Sequence, residues 1–269
     1  MVVSLDMRLT LLLTTIALGC RVSEVAGATA LPDTGITICY GNNSTYEIGS
    51  GKTSVARDVG EFPRQDCRYG ADANSRLVKI GGGASGFDYT KISNNGAALP
   101  AGAALGTGFD DWACSRDNNT GLTWEVRTPT AGQSRFAGHL YAWRNSDPAI
   151  NGGNSGSDGD TASCGNTLPG ATCNTQSYTG FVNIGKLCSY TDWRMPSLRE
   201  LQTLVHLGGP NPAIDSSYFP NTVASGYWSV STYASAPASA WYLNFTDGRP
   251  ASNLKVVQGY VRVVRGDPF

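Results

Sequence analysis

The sequence predicts an α+β fold of short antiparallel strands, two or more helices and long loops. Three observations predict it. The middle of the chain carries two helical patterns, and the last third carries strand-like runs separated by turn residues; segregated helices and strands read as α+β rather than as alternating α/β. Glycine accounts for 33 of 269 residues, which multiplies turns and loops. The chain also holds 8 Phe, 6 Trp and 12 Tyr, enough large apolar surface to close a core.

The first stretch is an address. Arg8 precedes an apolar run over 9–20, too short for a membrane span of about 20 residues. Ala26 and Ala28 satisfy the small-x-small rule of signal-peptide cleavage. The reading is a signal peptide over 1–28 and a single secreted domain over 29–269, with a loop-rich N-terminal half at 29–108. The alternative is a lipoprotein leader, since Ala17-Leu18-Gly19-Cys20 resembles a lipobox. No other run approaches a membrane span, so no transmembrane segment is expected. The chain has 7 cysteines. Without Cys20 they are Cys39, Cys67, Cys114, Cys164, Cys173 and Cys188, an even set that suits three disulfides in an oxidising compartment. Local loop closure suggests Cys39–Cys67 and Cys164–Cys173, leaving Cys114–Cys188.

Strands are expected at 35–40 and 76–80, then at 111–116 and 122–127, the latter two joined by the turn-rich Asp117-Asn118-Asn119-Thr120-Gly121. Residues 146–172 form a long polar loop. A helix is expected over 175–186, with Tyr178, Phe181 and Val182 on one face. The next begins at Ser197-Leu198-Arg199-Glu200, an S-x-x-E capping box preceded by Pro196. Its stripe is Leu198, Leu201, Leu204 and Val205, and Gly208-Gly209-Pro210 ends it. Strands follow at 227–232, 240–245 and 259–265, the last alternating Tyr260, Arg262 and Val264 against Val261, Val263 and Arg265.

Charge and motif content narrow the function. With Lys+Arg 20 and Asp+Glu 21 the net charge is −1, which gives no basic face for nucleic acid. Two histidines, His139 and His206, rule out a many-histidine metal site. No C-x-x-C and no G-x-S-x-G occurs. Gly81 to Gly86 spell G-x-G-x-x-G, but Ser93-Asn94-Asn95-Gly96 follows where a dinucleotide site needs a helix. Asp147, Asn154, Asp158 and Asp160 offer oxygens to a calcium ion without matching a calcium-loop spacing. The loop over 146–172 is expected to be exposed and to carry specificity, because its backbone cannot be satisfied in a core. Its acids disfavour a sulfated glycan at that spot.

The run Asp192-Trp193-Arg194-Met195-Pro196-Ser197-Leu198-Arg199-Glu200-Leu201 resembles the D-W-R-[LM]-P-[ST]-x-x-E-L signature of the Lcl C-terminal domain family, named after a collagen-like bacterial adhesin. Further segments resemble the family in order: Leu31-Pro32-Asp33-Thr34-Gly35 with Cys39-Tyr40, the D-x-x-T-G-L-x-W run from Asp117 to Trp124, Tyr227-Trp228-Ser229, Ala240-Trp241-Tyr242, and the run from Tyr260 to Gly266. The resemblance implies a fold related to C-type lectins and formylglycine-generating enzymes, and a place outside the cell or on its surface. For the namesake it implies binding of sulfated polysaccharides and self-association. Formylglycine chemistry needs a reactive cysteine pair, and six cysteines expected in disulfides leave none.

Trp193 and Leu198 suit core positions, Trp124 belongs to the scaffold motif that the resemblance implies, and Arg194 has Asp192 and Glu200 within reach as ion-pair partners. Trp228 and Trp241 suit cross-strand packing; the functional alternative is that aromatic faces stack on sugar rings. The expected function is a secreted, non-enzymatic surface module that binds a polysaccharide or a surface protein, with no cofactor. The alternatives are a structural subunit of an extracellular polymer, which would be a homo-oligomer, and a secreted hydrolase.

Overall fold

A computed structural model describes residues 34–36, 38–41, 44–47, 66–70, 72, 77–168, 170, 172–209 and 211–268. The expected signal peptide and Cys20 lie outside these residues. So does the side chain of Cys39, and with it the expected Cys39–Cys67 pair; Cys67 itself is buried and disulfide-bonded.

The described elements are β1 (Ile38–Gly41), β2 (Ser44–Glu47), α1 (Asp66–Tyr69), β3 (Tyr89–Ser93), β4 (Ala98–Leu99), β5 (Trp112–Asp117), β6 (Thr123–Glu125), β7 (Tyr141–Ala142), α2 (Thr175–Ile184), α3 (Leu198–Gln202), β8 (Gly226–Thr232), β9 (Ser239–Asn244), β10 (Arg249–Leu254), β11 (Gln258–Gly259) and β12 (Val264–Arg265). They pair antiparallel in four small sheets: β1-β2, β12-β6-β5-β3-β4, β10-β9-β8 and β11-β7. The result is α+β.

Local chemistry explains the joints. Between β5 and β6, the Asp117 carboxylate accepts from the Asn119 N–H at 2.9 Å and from the Thr120 hydroxyl at 2.8 Å. Gly121 closes that turn at φ +76°, a region that favours glycine. Helix α2 starts at Asn174, whose side chain accepts from the Ser177 N–H at 2.8 Å. The Cys114–Cys188 disulfide then ties β5 to the segment after α2, across a sequence separation of 74. Cys164–Cys173 closes the end of the long loop.

Four expectations are corrected. Residues 77–80 form no strand, because the N–H groups of Ile80 and Gly81 donate to the Asp88 carboxylate at 2.7 and 2.8 Å instead of to a ladder. Helix α3 stops at Gln202, short of the glycines, because the next turn tightens. Thr203, Leu204 and Val205 each donate three residues back, and the Thr203 hydroxyl donates to Glu200 O at 2.7 Å. The third strand of the C-terminal meander is β10, at 249–254. Its sequence Arg-Pro-Ala-Ser-Asn-Leu lacks an apolar alternation because it is an exposed edge, where Pro250 is tolerated. The expected strand over 259–265 is divided among four neighbours, the first being β7, where Gly259 pairs with Tyr141. Tyr260 pairs with β8, Val263 O accepts from the Glu125 N–H, and Val264 exchanges two bonds with Arg194. Val261, Arg262, Val263 and Val264 are therefore all buried, and the two alternating sets do not separate an inside from an outside.

Two apolar clusters make the core. One gathers Tyr141, Trp143, Tyr178, Trp193, Trp228 and both disulfides described above. The other gathers Phe87, Tyr89, Trp124, Leu201, Leu204, Phe219, Tyr227 and Phe245.

Candidate functional site

The run 192–201 builds scaffold. Trp193 is 2% exposed and its indole N–H donates to Leu187 O at 3.0 Å. Its backbone is clamped by the Asn183 amide, which accepts from the Trp193 N–H and donates to its carbonyl, both at 2.8 Å. The capping box is present: Ser197 Oγ accepts from the Glu200 N–H at 3.1 Å, and Glu200 Oε2 accepts from the Ser197 N–H at 2.7 Å. Glu200 also takes a two-pronged bond from Arg194, at 2.6 and 2.8 Å, which settles which acid Arg194 pairs with. Asp192 pairs instead with Arg265, and that bond holds the Asp192 carboxyl below the usual carboxylate range. Pro196 accepts from the Val230 N–H at 2.7 Å, joining the run to β8.

A charged cluster lies within the core. Glu125 is fully buried and accepts from the Tyr178 hydroxyl. Burial pushes that hydroxyl well above the usual phenol range, so it keeps its proton. Arg127 Nη1 and Arg135 Nε lie 3.5 and 3.7 Å from Glu125 Oε1. Arg262 donates to Glu125 O at 3.1 Å and to the Thr222 hydroxyl at 2.7 Å. Ring faces supply further partners: Tyr178 stands 4.7 Å from Arg127, and Phe219 stands 4.8 Å from Arg262.

The groove with a binding character lies over β8, β9 and β11. Its volume is about 340 Å³, and Leu140, Trp228, Tyr242, Asn244, Asn253, Gln258 and Tyr260 are among its walls. Register places Trp228 opposite Tyr242, with their rings edge to face at 6.0 Å. Two glycines keep it open. A Cβ on Gly226 would meet the Tyr242 ring at 2.7 Å, and one on Gly259 would meet the Trp228 indole at 2.7 Å. Asn244, Asn253 and Gln258 each accept a bond on the amide oxygen, from the Thr246 N–H, the Leu254 N–H and the Ser163 hydroxyl. Their NH2 groups donate to nothing among the described residues. No Asp, Glu, His, Lys or Arg lines this groove.

Trp241 does not join this surface. It precedes Tyr242 on β9, so it points to the opposite face of the sheet, where it packs edge to face on Tyr233 at 5.0 Å. The expected packing of Trp228 against Trp241 is corrected to Trp228 against Tyr242, because the register aligns residue 228 with 242.

The long loop borders the groove through Ser163 and is largely exposed. Its calcium candidates do not converge. Asp147 Oδ1 accepts from the Ala149 N–H, Asn154 Oδ1 from the Gly156 N–H and Asp160 Oδ1 from the Ala162 N–H, each at 2.9 Å. Asp158 pairs with Arg144 at 3.1 Å. Among the described residues no three His, Cys, Asp or Glu gather to hold a metal ion. The loop does close around a cation, the ammonium of Lys255. Lys255 Nζ donates to Asn151 O at 2.8 Å, to Asn154 O at 2.7 Å and to the Thr232 hydroxyl at 3.1 Å, and lies 3.9 Å from the Trp143 ring centroid. Lys255 is 1% exposed, and burial pulls its pKa down to about 8.

Both histidines are buried. His206 stacks on Phe87 at 5.3 Å, after α3 has ended. His139 packs between Phe136 and Tyr141. The G-x-G-x-x-G run turns back on itself: Gly82 and Tyr89 exchange two backbone bonds, and the Ala84 N–H donates to Asp215 at 2.7 Å. Sequence reasoning missed Tyr242, Asn244, Asn253, Gln258 and Lys255 as a group. Only Tyr242 stood in a quoted motif; the rest carry no spacing signal.

Among the described residues no helix is long and apolar enough to cross a membrane. The two described disulfides fit an extracellular location. No curated protein matches the chain. The model of the Lcl C-terminal domain matches residues 113–265, from β5 through β12 and including the 192–201 run, the charged cluster and the groove. That is more than half of the sequence, and the chain belongs to the Lcl C-terminal domain family.

Proposed function

We propose that the protein is a secreted, non-enzymatic, adhesin-like surface module that binds a polysaccharide in the groove over β8, β9 and β11. The observation that carries this reading is the composition of that groove: aromatic rings, three amides with unused donors and no Asp, Glu, His, Lys or Arg. Ring faces suit the apolar faces of sugars, and amide NH2 groups suit hydroxyl acceptors. A groove without a carboxylate or an imidazole lacks the groups that most often transfer protons in hydrolysis, which favours binding there. Its neutrality favours an uncharged glycan over a sulfated one. Family membership and the disulfides support placement outside the cell, and the small antiparallel sheets with long loops accord with a C-type-lectin-like fold. The reading requires no cofactor.

The test is a glycan array probed with the purified chain, followed by titration of the strongest neutral ligand. Tyr242→Ala should weaken binding about tenfold or more, the loss of one stacking face with its burial. Asn244→Ala should weaken it less. Retention of sulfated glycans alone, or equal binding by a folded Tyr242→Ala variant, would refute the assignment.

A further inference from the structure

A second cavity, of about 620 Å³, lies between the C-terminal end of α2 and the segment that carries Gln133, Ser134 and Arg135. We propose that it binds a small amphipathic carboxylate, with the carboxylate on Arg135 and the apolar body against Phe181 and Leu187. The proposal is independent of the groove and goes beyond the reading above.

Three observations carry it. The first is charge. The Glu125 carboxylate is shared by two guanidiniums, those of Arg127 and Arg135, while a third, Arg262, bonds the backbone carbonyl of Glu125. The remaining partners of these guanidiniums are carbonyls, a hydroxyl and ring faces, which bond a cation without neutralising it. Arg135 lines the cavity, and its side chain is 13% exposed. Lys186 lines the same cavity, and no acid does.

The second is unused hydrogen-bonding capacity. Arg135 Nη2 donates to Val126 O at 2.6 Å and to Ala113 O at 3.2 Å, which leaves Nη1 with no bond among the described residues. A guanidinium edge left unbonded on a cavity wall marks a place for an anionic ligand atom, and one such edge suits a single carboxylate.

The third is the remaining wall. Phe181, Val182 and Leu187 are apolar, and Phe109 stands at the cavity 73% exposed. The volume falls within the range of about 300–1,000 Å³ typical of small-molecule sites. An ion alone would leave those walls wet, whereas an aromatic or aliphatic acid covers them.

The experiment titrates the purified chain with 2-naphthoate and, separately, with the neutral 2-naphthylmethanol. Naphthoate should bind saturably, and the alcohol about tenfold or more weaker. Arg135→Gln should remove most of that preference. Because Arg135 also braces Glu125, a second variant guards the reading: Phe181→Ala trims the apolar wall away from the charged cluster, and it should lower naphthoate affinity about fivefold. Thermal melting establishes that each variant is folded. Absence of saturable naphthoate binding, equal affinity for the alcohol, or unchanged affinity in a folded Phe181→Ala variant would each overturn the proposal.

Discussion

Replacing Lys255 with Met keeps an unbranched side chain of similar length and removes the cation around which the long loop closes. The loss can be worked from the contacts. Lys255 Nζ makes three bonds, to Asn151 O, Asn154 O and the Thr232 hydroxyl, and sits on the Trp143 ring. Bonds to a charged donor are worth about 1.5–3 kcal/mol each and a desolvated cation–ring contact about 2 kcal/mol. Desolvating the ammonium offsets much of that sum, and water can reach the exposed loop after the change. The net destabilisation should be about 2–4 kcal/mol, a fall in melting temperature of roughly 4–16 °C for a domain of this size. The sharper readout is local. Amide exchange should accelerate over 145–157, where Asn145 donates to Ser155 O, Asn151 to Asp147 O and Ser157 to Trp143 O. Exchange in β5 and β6 should stay slow under conditions where the domain remains folded. A Lys255→Met variant with unchanged melting and unchanged loop exchange would refute the idea that this ammonium organises the loop.

Trp193→Ala should cost about 3–5 kcal/mol, since it empties a core position and removes the indole bond to Leu187 O; wild-type melting in that variant would show the ring to be dispensable. Non-reducing peptide mapping should recover Cys114 linked to Cys188 and Cys164 linked to Cys173, and alkylation of any of the four without reductant would contradict the pairing. His139 is held below its usual pKa of 6.5 by burial and by the charge on Arg127. The unfolded chain therefore binds a proton that the folded chain resists, so stability should fall as pH drops below about 6.5. His139→Phe should flatten that part of the melting profile, and an identical pH slope in the variant would remove His139 from the explanation.

The short-range features were legible in the sequence. Ser197 and Glu200 sit three residues apart, and the capping box follows from that spacing alone. Asp117 and Thr120 close the β5–β6 turn in the same way, and Cys164 and Cys173 are near enough to bridge locally. The strands with mixed or one-sided burial, β5, β8 and β9, were legible because alternating or aromatic runs mark them. Burial of Trp124, Trp193 and Trp228 followed from their size and their place in motifs.

Tertiary structure decided the rest. Arg194 had two acids within reach, and Glu200 won because the capping box already held its carboxylate still while Asp192 faced Arg265. Lys255 meets loop carbonyls about a hundred positions earlier in the chain, and no periodicity links such distant residues. The groove joins Tyr242, Asn253, Gln258 and Tyr260 only after β8, β9 and β10 fix their register, since a slip of one residue would turn Tyr242 to the other face and bring Trp241 in. Arg127, Arg135 and Arg262 read in the sequence as ordinary polar positions; they enter the core because Glu125, backbone carbonyls and aromatic rings from separate strands converge on them. Patterns of a few residues act through the local geometry of helix and turn, while sites depend on which distant segments the packed core brings together.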